Sequence, residues 1–533
     1  MTPPLISPKW RQNTDYRVAE SLPLQDRTTE ISPTQSAQAP RHAVIAYLSA
    51  RPLLRAFLWG LASALALPPI HLLPVLLFSV PAFLRLIGAA ESKKQLAWIA
   101  WLFGFGLNLA GLYWITEPIL TEAATFWWLV PLAAPLLASA VAFYSMIPAF
   151  AARAAKPGLP RLLVFSGAWV ISDLIRQFAF TGFPWNLWGT DWTIPGVFGD
   201  IFIQPAAIFG VHGLTLLTVF LAGMPLFKRR GLLVLVASLL VWAGFGIWRL
   251  QMPVRPTGIT VALVQPDFPV PGSYTRAALI SRWQRLLTMS QAGLQAGADT
   301  VVWPEGSSPW LLDSDPVARA QLAAITGTTP VLAGSLRVAG PNDYRNSLVV
   351  TDGAGPAVTI YDKWKLVPFG EYMPHWIPVK ITPDVLGAGF TSGPGPKTLD
   401  APGLPPFGPL ICYEDIFSGE IVDETDRPSW LAAVTDDAWF GNSTGPRQHF
   451  VNARLRAVEE GLPLARDANS GISAMIDAFG RVQATLPLGH QGVLVAPLPG
   501  KLPPTFYARL GLEIPASMAI LTLLSGLLLA LVV

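Results

Sequence analysis

Cysteine is nearly missing from this chain: 533 residues hold one, Cys412. A lone thiol excludes an internal disulfide and any cysteine-built metal centre. Charge is scarce as well, with Asp, Glu, Lys and Arg making up 13% of residues, where a soluble enzyme carries about a quarter. The formal net charge is only +3 and no basic run lies along one face, so no nucleic-acid partner is expected. The 6 histidines are scattered. HExxH is missing and so is GxSxG, which leaves neither a zincin site nor a serine-hydrolase elbow. No metal and no cofactor are expected.

Apolar residues are abundant, at 52%, and the mean hydropathy is +0.44. Both values belong to a membrane protein. Apolar segments lie near 53–68, 72–90, 96–116, 126–150, 160–178, 203–227 and 231–250, and a last one runs from Ile514 to Val533. A helix needs about 20 apolar residues to cross a ~30 Å hydrocarbon core. Most segments reach that length and the first two are short, so that pair could instead be a re-entrant hairpin around Pro68 and Pro69. The expectation is a polytopic α-helical bundle of about eight spans. Much of the tryptophan, 20 residues in all, falls near the segment ends, as interfacial belts require. Residues 1–50, rich in Pro, Ser, Thr and Gln, read as a disordered tail and not as a signal peptide.

Connecting charges set the orientation. Arg51, Arg55, Arg85, Lys93, Lys94, Arg153, Lys156, Arg161, Lys228, Arg229 and Arg230 all fall on one side of the predicted bundle. The other side has Arg176, Arg249, Arg255 and Arg509 together with Glu117, Glu122, Asp191 and Asp200. Positive charge stays in the cytoplasm, so both termini are expected there. The bundle is read over 51–250, an outer domain over 256–505, and a closing helix over 510–533.

The outer domain changes character. Strand-like runs at 259–265, 300–305, 346–350 and 430–435 alternate with helical spacing near 274–297, 315–326 and 446–461. That alternation predicts a mixed α/β domain. Within it, GPLICYED (408–415) places Cys412 where a short apolar strand meets a polar turn. Strand ends are where α/β sheets carry their chemistry. A buried cysteine used as a small hydrophobe would not need the acidic flank, so Cys412 is read as a nucleophile. Two further motifs fit it. VVWPEGSSPW puts Glu305 after a strand, and YDKWKLVPFGEYMP puts Lys363 after another, with Glu371 beyond. A thiol of pKa ~8.5 needs a base to become nucleophilic at neutral pH. Glu305 can be that base, and Lys363 can hold charge developing on a carbonyl oxygen.

At these residues the sequence resembles the nitrilase, or carbon–nitrogen hydrolase, superfamily, whose triad is Glu–Lys–Cys in that order. More closely it resembles the apolipoprotein N-acyltransferase family of Gram-negative bacteria. The motifs are TGFPWNLWG (181–189), VALVQP (261–266), WPE, KLVPFGEYMP, CYE, DDAWFGNSTGPRQHF (436–450) and TFYARLG (505–511). They span all but roughly the first 50 residues. The resemblance implies a periplasmic nitrilase-like α-β-β-α sandwich on an inner-membrane bundle; the sequence itself is silent on oligomeric state, and a monomer is presumed. It implies two-step acyl transfer. Cys412 takes an acyl chain from a phospholipid, phosphatidylethanolamine by expectation, and passes it to the α-amine of a diacylglyceryl-modified apolipoprotein cysteine. A membrane-tethered amidase with the same triad, or an inactive scaffold, remains as a rival.

Other residues carry smaller expectations. Glu371 matches a second family glutamate. Glu414 is a candidate for placing Lys363 or the thiol, and the Tyr413 amide is a candidate oxyanion donor. Trp439 and Phe440 could bind acyl chains or pack the core. Asn442 and Arg447 could meet a head group or be solvated, and Asn469 matches a family position. Asp173 and Arg176 read as an ion pair, and TGFPWNLWG as a lipid-entry loop or part of the tryptophan belt. The chain departs from the family in its tail, in Asp436-Asp437 where Asn-Asp is more usual, and in DANSG.

Overall fold

The computed structural model describes residues 51–121, 123–270, 274–375 and 389–532. The expected tail and Glu122 lie outside them. Helices form over the apolar segments: Pro52–Ser63, Leu76–Ala89, Lys93–Gly111, Val130–Ala142 with Met146–Ala154, Leu159–Phe178, Ala206–Ala222, Lys228–Arg249 and Glu513–Val532. Among the described residues, three stretches are long and apolar enough to cross a membrane: Val130–Ala154, the 44-residue Ala206–Arg249, and Glu513–Val532. Lys93–Gly111 with Tyr113–Thr121, bent by 63°, makes a fourth if it counts as one span. Ala206–Arg249 doubles back on itself. The Trp242 indole donates to the Phe202 carbonyl, and the Arg249 guanidinium bonds Gln204, so its second half returns to where the first began. Leu159–Phe178 has 20 residues but carries Arg161, Asp173 and Arg176. The first two helices, with 12 and 14 residues, are short as expected.

Small residues set the helix spacing. A Cβ on Gly60 would fall 1.9 Å from the Phe103 carbonyl oxygen, and one on Gly106 would fall 2.4 Å from that of Phe57. Glycine therefore brings Pro52–Ser63 and Lys93–Gly111 into backbone contact, as small-residue interfaces do between membrane helices.

The remainder is an α-β-β-α sandwich. One sheet has the order β11-β1-β2-β3-β4-β5 and the other β10-β9-β8-β7-β6. Their bounds are β1 Thr260–Gln265, β2 Thr300–Ser308, β3 Val331–Gly340, β4 Asp343–Thr351, β5 Thr359–Asp362, β6 Phe407–Ile411, β7 Trp430–Thr435, β8 Leu464–Ala468, β9 Ser473–Ile476, β10 Val482–Leu486 and β11 Gly492–Pro497. Strands β1, β2 and β3 run parallel, as do β6, β7 and β8.

Side chains alternate between layers with the period of a strand. Val261 and Leu263 join Trp430, Ala432 and Val434 in the core between the sheets. Ala262 and Val264 face the other way, onto Trp283 and Leu286 of the helix Arg276–Gln295. On the far side, Leu431 and Ala433 pack on Ala453 and Ala457 of the helix Gly445–Glu460. That last helix is buried on every face. Its Leu455 and Val458 belong to the bundle's own core, with Trp188, Val211 and Leu214. It is thus the shared wall between sandwich and bundle, and it sets the strand ends of the second sheet against the helices.

Candidate active site

Glu305 lies within β2, Lys363 follows β5 directly, and Cys412 follows β6. Strand β6 is buried along its length. At Cys412 the backbone takes φ 51, a conformation uncommon for a residue with a Cβ, and the chain turns into the short 3-10 segment Cys412–Ile416. Glu414 holds that turn to its neighbours. Its carboxylate accepts from the Ile411 amide at 2.6 Å, the Trp364 amide at 2.7 Å and the Tyr361 hydroxyl at 2.8 Å. It ties the end of β6 to the segment carrying Lys363 and so positions both.

Lys363 is 1% exposed, and its Nζ lies 2.8 Å from Glu305 Oε1 and 2.9 Å from Glu371 Oε1. The Asn346 side-chain amide donates to the same two oxygens, at 2.8 and 2.9 Å. The other oxygen of Glu305 accepts from the Asp436 amide at 2.9 Å, and that of Glu371 from the Val367 amide at 2.7 Å. Burial works against the ammonium, but the Glu305 and Glu371 carboxylates outweigh it and hold Lys363 well above the ordinary lysine range. Burial, then the Glu305 carboxylate, pushes the Cys412 thiol well above its usual range, while Lys363 pulls it down. The resting thiol is therefore protonated and needs a base.

A second charged cluster adjoins Cys412. His449 Nδ1 lies 2.7 Å from Asp437 Oδ1, and Nε2 lies 2.9 Å from Asp415 Oδ1 and 3.1 Å from the Cys412 carbonyl oxygen. Arg466 donates to the other oxygen of Asp437 at 2.8 Å. Burial opposes the imidazolium, but Asp415 and Asp437 overcome it and raise His449 to about 10. Burial likewise opposes the Asp437 charge, and Arg466 and His449 reverse that, to about 2. Polar atoms of Cys412, Asp437 and His449 lie within 4.8 Å of one another. A doubly paired imidazolium offers no lone pair to a cation, so this donor set does not suit a metal.

Two family models match the chain: the apolipoprotein N-acyltransferase N-terminal domain over residues 59–224 and carbon–nitrogen hydrolase over 260–502. An apolipoprotein N-acyltransferase of Rhodopseudomonas palustris is 36% identical over 500 residues, covering 87% of this chain and 92% of that one. That of Brucella melitensis is 34% identical over 511 residues, covering 89% and 94%. The chain belongs to the apolipoprotein N-acyltransferase family. A solved amidase of the nitrilase superfamily from Nesterenkonia is 19% identical, covering 49% of this chain and 95% of that one at a TM-score of 0.36.

In this family member the remaining expected residues fall into distinct settings. Phe440 packs into a buried aromatic cluster, 4.8 Å from the Trp114 ring, while Trp439 is 42% exposed. Arg447 donates to Asn442 Oδ1 at 3.0 Å and to the Ser443 carbonyl at 2.6 Å, so these two residues brace their own loop. Asn469 Nδ2 donates to Asp436 Oδ1 at 2.9 Å and to the Phe268 carbonyl at 3.0 Å, which makes it more than a turn residue. Asp173 and Arg176 pair at 2.8 Å, both buried. The belt reading of TGFPWNLWG is corrected: Trp185 and Trp188 are 2% and 1% exposed. Trp185 donates to Gln448 Oε1 at 2.8 Å, and the Gly182 carbonyl accepts from the Tyr413 hydroxyl at 2.8 Å. This loop is a joint between bundle and active site, not a surface anchor.

Sequence reasoning assigned no part to Asn346, Asp415, Asp437, Gln448, His449 or Arg466. A usable signal was present in β8, LARDA, where Arg466 and Asp467 interrupt a short apolar run that is buried throughout. Buried charges need partners, and such a pair points to a network.

Proposed function

We propose that the protein transfers an acyl chain from a membrane phospholipid, through a thioester on Cys412, to the N-terminal amine of a diacylglyceryl apolipoprotein. The observation that carries this reading is the Lys363 ammonium shared by Glu305 and Glu371, with its charge and that of Glu305 reaching the Cys412 thiol. In the first step Glu305 takes the thiol proton as sulfur attacks the donor ester. The developing oxyanion is held by Lys363 and the Tyr413 amide. Glu305 then returns the proton to the departing glycerol oxygen, which leaves a lysophospholipid. In the second step a neutral amine attacks the thioester, Glu305 removes its proton, and the thiol is restored as the amide forms. One site thus serves two lipid substrates in turn.

In this reading residues 51–250 supply seven spans and 510–533 the eighth, in the inner membrane. Domain 256–505 is periplasmic and both termini are cytoplasmic, a placement supported by the one-sided lysines and arginines. Phosphatidylethanolamine is the favoured donor and the monomer the working unit. Exposed Trp439 is the contact for an acyl chain; Phe440 backs it, and Asn442 with Arg447 shape the rim. The test is transfer by the purified full chain from labelled phosphatidylethanolamine to a synthetic diacylglyceryl-cysteine peptide. Label on the peptide, abolished by Cys412→Ala, supports the reading. Hydrolysis of small amides without transfer would favour a tethered amidase instead.

A further inference from the structure

A groove of about 450 Å³ lies on the bundle, lined by Arg55, Trp59, Leu77, Phe78, Pro81, Ala82, Arg85 and Pro225. Its volume is in the range of small-ligand sites. Arg55 and Trp59 are one helical turn apart on Pro52–Ser63. Leu77, Pro81 and Arg85 repeat at four-residue spacing on Leu76–Ala89, so each helix turns one face to the groove. The walls are apolar and Phe78 is 64% exposed. Two guanidiniums stand among them, no carboxylate lines the groove, and neither arginine side chain has an acidic partner among the described residues.

The groove lies away from the catalytic domain. The loop joining the two short helices touches that domain, where the Pro68 carbonyl accepts from Gln448 at 3.2 Å. Arg55 and Arg85 lie toward the other ends of those helices. Pro225 follows Ala206–Ala222, whose Val211 amide donates to Glu459 of the catalytic domain at 2.7 Å. Helix rise puts Arg55 about 15 Å from the joining loop. Arg85 and Arg55 also belong to the basic side of the bundle, with Lys228, Arg229 and Arg230.

We propose that this groove binds an anionic glycerophospholipid, with its phosphodiester between Arg55 and Arg85 and an acyl chain along Trp59, Leu77, Phe78 and Pro81. The proposal rests on the reading of the bundle as membrane-embedded. Charge selects the occupant. Guanidinium forks match phosphate oxygens, whereas the ammonium of a zwitterionic lipid would meet two cations and no carboxylate. The site also has a structural use: these helices are too short for the hydrocarbon core, and a headgroup drawn to their basic ends closes that mismatch.

The test is native mass spectrometry of the detergent-purified full chain, titrated in parallel with phosphatidylglycerol and phosphatidylcholine. The wild type is expected to retain phosphatidylglycerol preferentially. R55Q/R85Q should weaken that retention roughly tenfold or more, leave phosphatidylcholine unchanged, and leave acyl transfer intact. R55K/R85K should keep most of the preference. If R55Q/R85Q does not purify, the single R85Q on an exposed side chain carries the same comparison with a smaller shift. Equal retention of the two lipids, or phosphatidylglycerol adducts insensitive to these arginines, overturns the proposal alone. Release of the chain from membranes by alkaline carbonate would overturn the embedded reading and this proposal with it.

Discussion

Lys363 and His449 are both buried cations near Cys412, and each is gripped by two carboxylates, yet they leave different things free. An ammonium has three hydrogens. Lys363 bonds Glu305 and Glu371 through its Nζ, which leaves one hydrogen uncommitted. An imidazolium has two, and both face acceptors: Asp437 on one side, Asp415 and the Cys412 carbonyl on the other. The carboxylates differ in the same sense. Glu305 and Glu371 side chains are 10% and 12% exposed, whereas those of Asp415 and Asp437 are 2% and 0%. One cluster keeps a partly exposed edge, which the proposed mechanism turns toward the substrate. The other is fully enclosed and lies under the turn at Cys412.

The largest expected effect separates the two clusters by rate. Glu305→Gln keeps the side-chain size and the Lys363–Glu371 pair but removes the proposed base. Acyl-enzyme formation should slow by about 10²–10⁴, a loss well beyond what the drop in thermal midpoint from the surrendered Lys363–Glu305 pair would account for, both measured on the same preparation. His449→Gln should do the reverse. Breaking a buried pair costs about 3–5 kcal/mol, so the midpoint should drop while acylation by the folded fraction slows less than in Glu305→Gln. The pH dependence sharpens this contrast. With His449 raised from 6.5 to about 10, its stabilisation is fully present below about pH 6.5 and fades as pH rises through 10. The stability gap between wild type and His449→Gln should narrow over that window, as thermal scans at stepped pH would reveal.

Asp436 supplies a smaller effect of opposite sign. Burial, with Glu305 adding, raises it to about 7, so the folded state holds its proton longer than the unfolded chain does. Its contribution to stability therefore falls as pH climbs from about 4 to 7. Asp436→Asn, the residue more usual in the family, should gain midpoint relative to wild type across that range and hold the gain above it. The smallest effect is at the rim. Asn442→Ala removes a bond that braces Arg447 on an exposed loop, and transfer should stay within about twofold, in line with surface substitutions.

The two clusters also differ in how plainly the sequence displays them. Glu305, Lys363 and Cys412 each follow or end a recognisable strand and sit in a short polar motif, so their residue types and order were legible. Strands β1, β2, β4 and β7 and the three outer helices were equally plain, because period-2 and period-3.6 patterns are local. The His449 cluster was not. Asp415, Asp437, His449 and Arg466 come from four separate elements, and what unites them is shared burial, which a linear pattern does not display. The bundle was legible only in outline. Trp185 and Trp188 look like interfacial anchors by composition, but they bury themselves because Gln448 and the Trp169 ring, 4.5 Å from Trp188, receive them. Such tertiary partners lie hundreds of residues away for Trp185 and one helix away for Trp188.

The covalent intermediate tests the central claim most directly. The intact mass of the purified chain would be measured after incubation with phosphatidylethanolamine, beside Cys412→Ala. The account predicts a gain of one fatty acyl group, removed by hydroxylamine, missing from the variant and matched by released lysophospholipid. Acyl transfer to peptide with no such adduct, or an adduct that survives Cys412→Ala, would contradict it.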